Sequence, residues 1–133
     1  YQKMMGEYEM LGMYPNGHIM QFFRNSLPND VIRASSVYSL PEGHKVSVAG
    51  WAIARQHPRG RNGTVFITIE DESSDVQLIL WPQTFNAFKQ KLREPLFIAH
   101  GEISRWEGTT NVIVRDIEII ETDVNLPLGH DWE

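Results

Sequence analysis

Arginines, glycines and flat aromatic rings crowd the middle of this 133-residue chain. Arg55 and His57 lead to Arg59 and Arg61, with Gly60 and Gly63 among them, and Phe66 follows. Gln77, Trp81, Arg105 and Trp106 come later. A guanidinium neutralises phosphate, and an aromatic face stacks on a base for ~1–3 kcal/mol. A glutamine amide offers a donor and an acceptor to a base edge. Glycines allow a backbone to approach a ligand closely. Together these types point to a site for single-stranded nucleic acid. The competing reading packs Phe66 and Trp81 beneath N-terminal helices and makes the arginines a solvated rim. The sequence favours contact for Phe66 and the loop arginines and leaves Trp81 open.

Other chemistries find little support. Glu70, Asp71, Glu72 and Asp75 do not match a calcium loop, because the glycine is missing and a serine fills the third ligand position. A polar turn is the expectation. His18, His44, His57, His100 and His130 are scattered without a metal-binding pair. Gly60-Arg61-Asn62-Gly63 has the form of a phosphate-clamping GxxG loop, but that loop needs flanking helices and strands are expected here. No nucleophile elbow, Walker loop or dinucleotide fingerprint is present. The chain has no cysteine, which excludes disulfides and thiolate sites and fits a reducing, cytoplasmic compartment. No catalytic residue, metal site or cofactor is expected. No apolar run reaches a membrane span, and Tyr1 to Tyr14 do not read as a signal peptide. The Tyr1 start suggests an excised fragment. The net charge of −5 hides a basic stretch from Gly43 to Ile69, free of Asp and Glu, and an acidic end after Asp116.

The elements that must position these residues change texture along the chain. Residues 1–42 read as a helical extension, with Tyr8 and Leu11, then Ile19, Phe22 and Phe23, at helical spacings around a Tyr14-Pro15-Asn16-Gly17 turn. The five methionines all lie there and read as packing. Val31 to Leu40 is expected to form one more short helix. Residues 43–121 shift to a period of two. Lys45 to Arg55 is a long first strand interrupted at Gly50 by a bulge or bend. Thr64 to Glu70 turns Val65, Ile67 and Ile69 inward, and Val76 to Trp81 does the same with Val76, Leu78 and Leu80. Gln83 to Leu92 is a helix with Phe85, Phe88 and Leu92 on one stripe. Leu96 to Arg105 and Thr109 to Ile120 are joined by a tight hairpin at Trp106-Glu107-Gly108. Residues 122–133 form a tail. Five strands with a helix between the third and fourth give an all-β fold with a helical N-terminal extension. The order is that of the OB-fold, a five-stranded Greek-key barrel that binds single strands.

Gly50-Trp51, Arg55-Gln56-His57-Pro58, Gly63 to Glu72 and Leu78 to Pro82 resemble the OB domain of bacterial DNA polymerase III alpha subunits, most closely the error-prone branch. Tyr8 to Tyr14 with Gly17-His18 resembles the segment preceding that domain, with Ile19 where proline is usual. The tail with His130-Asp131-Trp132 loosely resembles the end of the error-prone branch. The resemblance implies a DNA polymerase as parent, acting in replication, repair or translesion synthesis, and its catalytic aspartates lie outside this chain. It implies a module holding single-stranded template, associated with the nucleoid. Arg55, Phe66 and Gln77 also match the similar anticodon-binding OB domain of class II aminoacyl-tRNA synthetases, so tRNA is a rival ligand. A second rival is a docking module for the parent chain, the sliding clamp or other replisome proteins.

Overall fold

Residues 19–57 and 62–120 are described in a computed structural model of the chain. The expected helix around Tyr8 and Leu11, and the tail, lie outside them. A short helix α1, Ile19–Phe23, runs into a 3-10 turn, Arg24–Ser26. Strand β1, Val31–Ile32, and helix α2, Ala34–Val37, follow. The barrel strands are β2, Lys45–Gln56, β3, Val65–Glu70, β4, Asp75–Leu80, β5, Leu96–Trp106, and β6, Thr109–Ile119. Helix α3, Pro82–Phe88, and a 3-10 turn, Lys91–Arg93, lie between β4 and β5.

The strands pair in the order β1-β2-β3-β4-β6-β5, and a β2–β5 pairing closes the ring. This is a closed five-stranded OB barrel with β1 outside it. Closure leaves no long open edge. Strand β2 serves two neighbours, β5 from Lys45 to Trp51 and β3 from Trp51 to Gln56. Gly50 sits at that change of partner. A Cβ there would lie 2.8 Å from the Glu70 carbonyl oxygen, so the strand crosses β3 too closely for any side chain. Gly101 plays the same part in β5, where the register shifts after His100 and a Cβ would overlap the Ile113 carbonyl.

Alternation builds the core as the sequence implies. Val65, Ile67, Ile69, Val76, Leu78 and Leu80 are all buried inside the barrel, with Phe85 and Leu92 closing one end. Val31 to Leu40 departs from the single expected helix. Val31 and Ile32 pair parallel with Ser47 and Val48, as β-branched residues favour, and helix begins only at Ala34. The reason lies far along the chain, where the Asp71 carboxylate accepts the Ala34 backbone N–H at 2.8 Å and starts α2 there.

A second apolar cluster lies outside the barrel. Met20, Phe23 and Val31 cover Ala49, Trp51, Leu96 and Ile98 on the outer face of β2 and β5. Trp51, at 1% exposure, is sealed by this cover. Arg24 pins it. Its Nη2 donates to Asp71 at 3.0 Å, while Nε and Nη2 reach the two oxygens of Glu72 at 2.8 and 2.9 Å. Arg33 adds a 3.0 Å bond to Glu72. The expected polar turn after β3 is therefore the anchor of the N-terminal segment, and no cluster with metal-ligand character occurs among the described residues.

Two outcomes follow for the anchor. Arg24→Ala should cost about 2–3 kcal/mol in urea denaturation, somewhat below a fully buried pair because Arg24 keeps some water contact. A change within about 0.5 kcal/mol, ordinary for a surface site, would contradict the anchor. Burial alone would push the Glu72 carboxyl up, but hydrogen bonds from Arg24 and Arg33 hold it below its ordinary value. Its stabilisation is therefore present above the unfolded-chain value of about 4.3 and lost as pH falls through the lower folded value. The stability gap between the wild type and Glu72→Gln should close across that window, and a gap independent of pH would contradict the pairing.

Candidate nucleic-acid interface

With β2 and β5 covered on one side, the outer face of β3, β4 and β6 is the open one. A groove of about 280 Å³ crosses it, lined by Phe66, Gln77, Ile79, Thr109 and Asn111, with Gln56 and Glu107 at its ends and Trp106 at its rim. Register explains the assembly. Gln56 stands opposite Phe66, Phe66 opposite Ile79, and Gln77 opposite both Thr68 and Asn111. Phe66 is half-buried on the side of β3 that alternation turns away from Val65, Ile67 and Ile69. Its ring therefore presents apolar surface outside the core.

The polar floor is built by two amides. Gln77 Nε2 donates to Asn111 Oδ1 at 3.1 Å across the parallel β4–β6 pair. Asn111 is buried, so its carbonyl needs this partner. The sequence reading missed Asn111, although a lone amide within the apolar alternation of β6 was its signal. The β5–β6 hairpin sets the far rim. Glu107 and Gly108 both adopt left-handed backbone, φ 53° and 80°, which fits a two-residue turn between Trp106 and Thr109. Trp106 is 60% exposed there, as a stacking surface would be. Trp81 is exposed at the opposite end, just before α3.

Two expected contacts are engaged elsewhere in the barrel, and a third, His57, borders the groove beyond Gln56. Arg55 is buried, and its Nη2 donates to the Leu92 carbonyl at 3.0 Å and the Glu94 carbonyl at 3.4 Å. A register shift between Ala52 and Ala54 reverses the parity of β2, so Arg55 faces the same way as its partner Ile67. Burial lowers the pKa of its guanidinium. Arg55 thus braces the turn after α3 instead of presenting charge at the surface. Arg105 points away from Trp106 and donates to the Tyr38 carbonyl at 3.1 Å. His57 is exposed and meets the Phe85 ring edge-on, with centroids 5.3 Å apart. Arg59 and Arg61 lie outside the described residues, in the stretch between β2 and β3.

A larger groove, about 580 Å³, lies on another side of the barrel between β1, the start of β2 and β5. Its charges are largely neutralised in place. Arg115 pairs with Glu102 at 2.7 Å, and His100 bridges Ser47 and Glu118. Among the described residues its lining holds no Phe, Tyr or Trp, so the smaller groove is the better match to a base-stacking surface.

Comparison with known proteins agrees with this geometry. Residues 46–120 match the family described as OB-fold nucleic acid binding domain. The error-prone DNA polymerase of Caulobacter vibrioides is 31% identical over 114 residues, covering 84% of this chain and 10% of that protein. The error-prone DNA polymerase of Anaeromyxobacter dehalogenans strain 2CP-C is 33% identical over 113 residues, with the same coverage. The chain thus spans about a tenth of the length of these curated relatives. The fold also matches asparaginyl-tRNA synthetase from Pyrococcus horikoshii, with a TM-score of 0.61 and 20% identity over 75% of this chain and 24% of that one. The barrel, its uncovered groove and the match across its strands agree: the chain belongs to the OB-fold nucleic acid binding domain family.

Proposed function

We propose that this chain is the module of an error-prone DNA polymerase that holds single-stranded template DNA. The observation that carries the reading is the groove between Phe66 and Trp106, lined by aromatic and amide side chains with Glu107 as its one charged residue among those described, while Met20, Phe23 and Val31 cover the outer face of β2 and β5. Phe66 and Trp106 stack bases, Trp81 extends the stacking surface, and the Gln77 amide meets a base edge. Arg59 and Arg61, which lie between His57 and Phe66 in the sequence, supply phosphate contacts. The parent enzyme carries out DNA synthesis, in repair or translesion roles, within the cytoplasm, and this module contributes binding rather than chemistry. The relatives named as error-prone DNA polymerases support this parentage.

Among the described residues, the groove lining includes no Lys or Arg. Stacking therefore carries most of the affinity within the groove itself, and each phosphate contact beside it adds about −0.7 to the log–log salt slope. The test is a titration of fluorescent dT oligomers at two salt concentrations, beside duplex DNA and an RNA oligomer. The chain should prefer the single strand, and Phe66→Ala should weaken binding by ~1–3 kcal/mol. Preference for RNA would favour the anticodon-type reading. No binding at low salt by the folded chain would contradict the proposal and favour a protein-docking module.

A further inference from the structure

Most described cations are already committed. Arg24 and Arg33 face Asp71 and Glu72, Arg115 faces Glu102, and Arg55 and Arg105 donate to carbonyls. The turn after α3 is different. Lys89, Lys91 and Arg93 are exposed there, and among the described residues none forms an ion pair with a carboxylate. Three neighbouring cations, none of them ion-paired among the described residues, repel one another, and a polyanion would relieve that repulsion.

Two of the three are held in place. Lys89 Nζ lies over the Phe85 ring at 5.8 Å, and Lys91 Nζ lies over the Phe88 ring at 5.7 Å while donating to the Ile117 carbonyl at 3.2 Å. Fixed side chains lose less freedom on binding. Their location ties them to the groove. The Phe85 ring that Lys89 covers is the one that His57 meets edge-on. His57 follows Gln56, which stands opposite Phe66 at that end of the groove. A continuous line thus joins the stacking surface, the end of β2 and the basic turn across one pole of the barrel.

We infer that Lys89, Lys91 and Arg93 form a phosphodiester-binding patch that carries a bound single strand beyond the Phe66 end of the groove and over the α3 pole. This rests on the single-strand reading of the groove and adds a direction to it. The stacked bases lie between Phe66 and Trp106, and the electrostatic hold lies at the α3 end. Strands too short to span both should not sense the patch.

The test measures anisotropy of dT oligomers of about 5 and about 15 nucleotides, the range of single OB-fold sites, against salt. The 133-residue chain is compared with Lys89→Gln/Lys91→Gln/Arg93→Gln and with Phe66→Ala. The triple variant should weaken the long strand about tenfold, flatten its log–log salt slope by roughly 2 units for three lost contacts, and leave the short strand nearly unchanged. Phe66→Ala should weaken both lengths. Because Lys91 also donates to the Ile117 carbonyl, the pair Lys89→Gln/Arg93→Gln guards against loss of folding, and it should retain about two-thirds of the slope change. Unchanged slope and length dependence, with Phe66→Ala still weakening binding, would overturn the patch alone and leave these cations a solvated surface. No binding by the wild type would overturn the groove reading and the patch together.

Discussion

The Asp71 carboxylate is where the barrel and its N-terminal cover are joined. One oxygen accepts the Ser73 and Ser74 backbone N–H groups and the Ser73 hydroxyl, which shapes the β3–β4 turn. The other accepts the Ala34 N–H and Arg24, which fixes the start of α2 and the approach of α1. A buried carboxylate left without such partners would be costly, and removing any one of them loosens two elements at once. Glu72 broadens the contact by holding both Arg24 and Arg33. From this anchor follows the burial of Trp51 under Met20 and Phe23, and from that burial follows which face of the barrel remains free.

That asymmetry matters because a closed barrel has no inherent binding side. Each strand presents alternate residues outward all the way round. Here Ala49, Trp51, Leu96 and Ile98 would form an exposed apolar patch on β2 and β5 if left bare, and the N-terminal segment removes it from water. The face of β3, β4 and β6 keeps Phe66, Ile79 and Gln77 accessible in a groove whose amide floor is completed by the buried Asn111. Such a surface suits unpaired bases, whose faces are apolar and whose edges are polar. It suits duplex DNA poorly, because the bases there are already stacked and the phosphates call for a dense cationic surface.

The strand alternation made much of this legible from sequence. Val65, Ile67 and Ile69 declared the inside of β3, so Phe66 stood out on the wrong face, and Gln77 did the same beside Val76 and Leu78. Gly50 marked the bend in β2. Arg55 was misplaced because the register shift near Ala52 reverses strand parity, and a bulge leaves no mark in a run such as Trp51-Ala52-Ile53-Ala54. Val31 and Ile32 escaped because their strand exists only beside Ser47 and Val48. The roles of Arg24 and Asp71 were hidden for the same kind of reason, since their pairing spans distant parts of the chain and no local pattern encodes it. Asn111 needed Gln77 as its cross-strand neighbour before its place in the site was visible.

A strand bound in the groove must touch the face of β3, β4 and β6. Backbone amide chemical shifts of the isotope-labelled chain, recorded while a dT oligomer is added, locate that contact residue by residue. Shifts should concentrate at Phe66, Gln77, Ile79, Asn111 and the Trp106–Thr109 turn, while Ala49, Trp51 and Ile98 beneath the N-terminal cover stay still. Shifts centred instead on Ser47, His100 and Glu102, with the β3–β4–β6 face silent, would contradict the account and move the binding surface to the other side of the barrel.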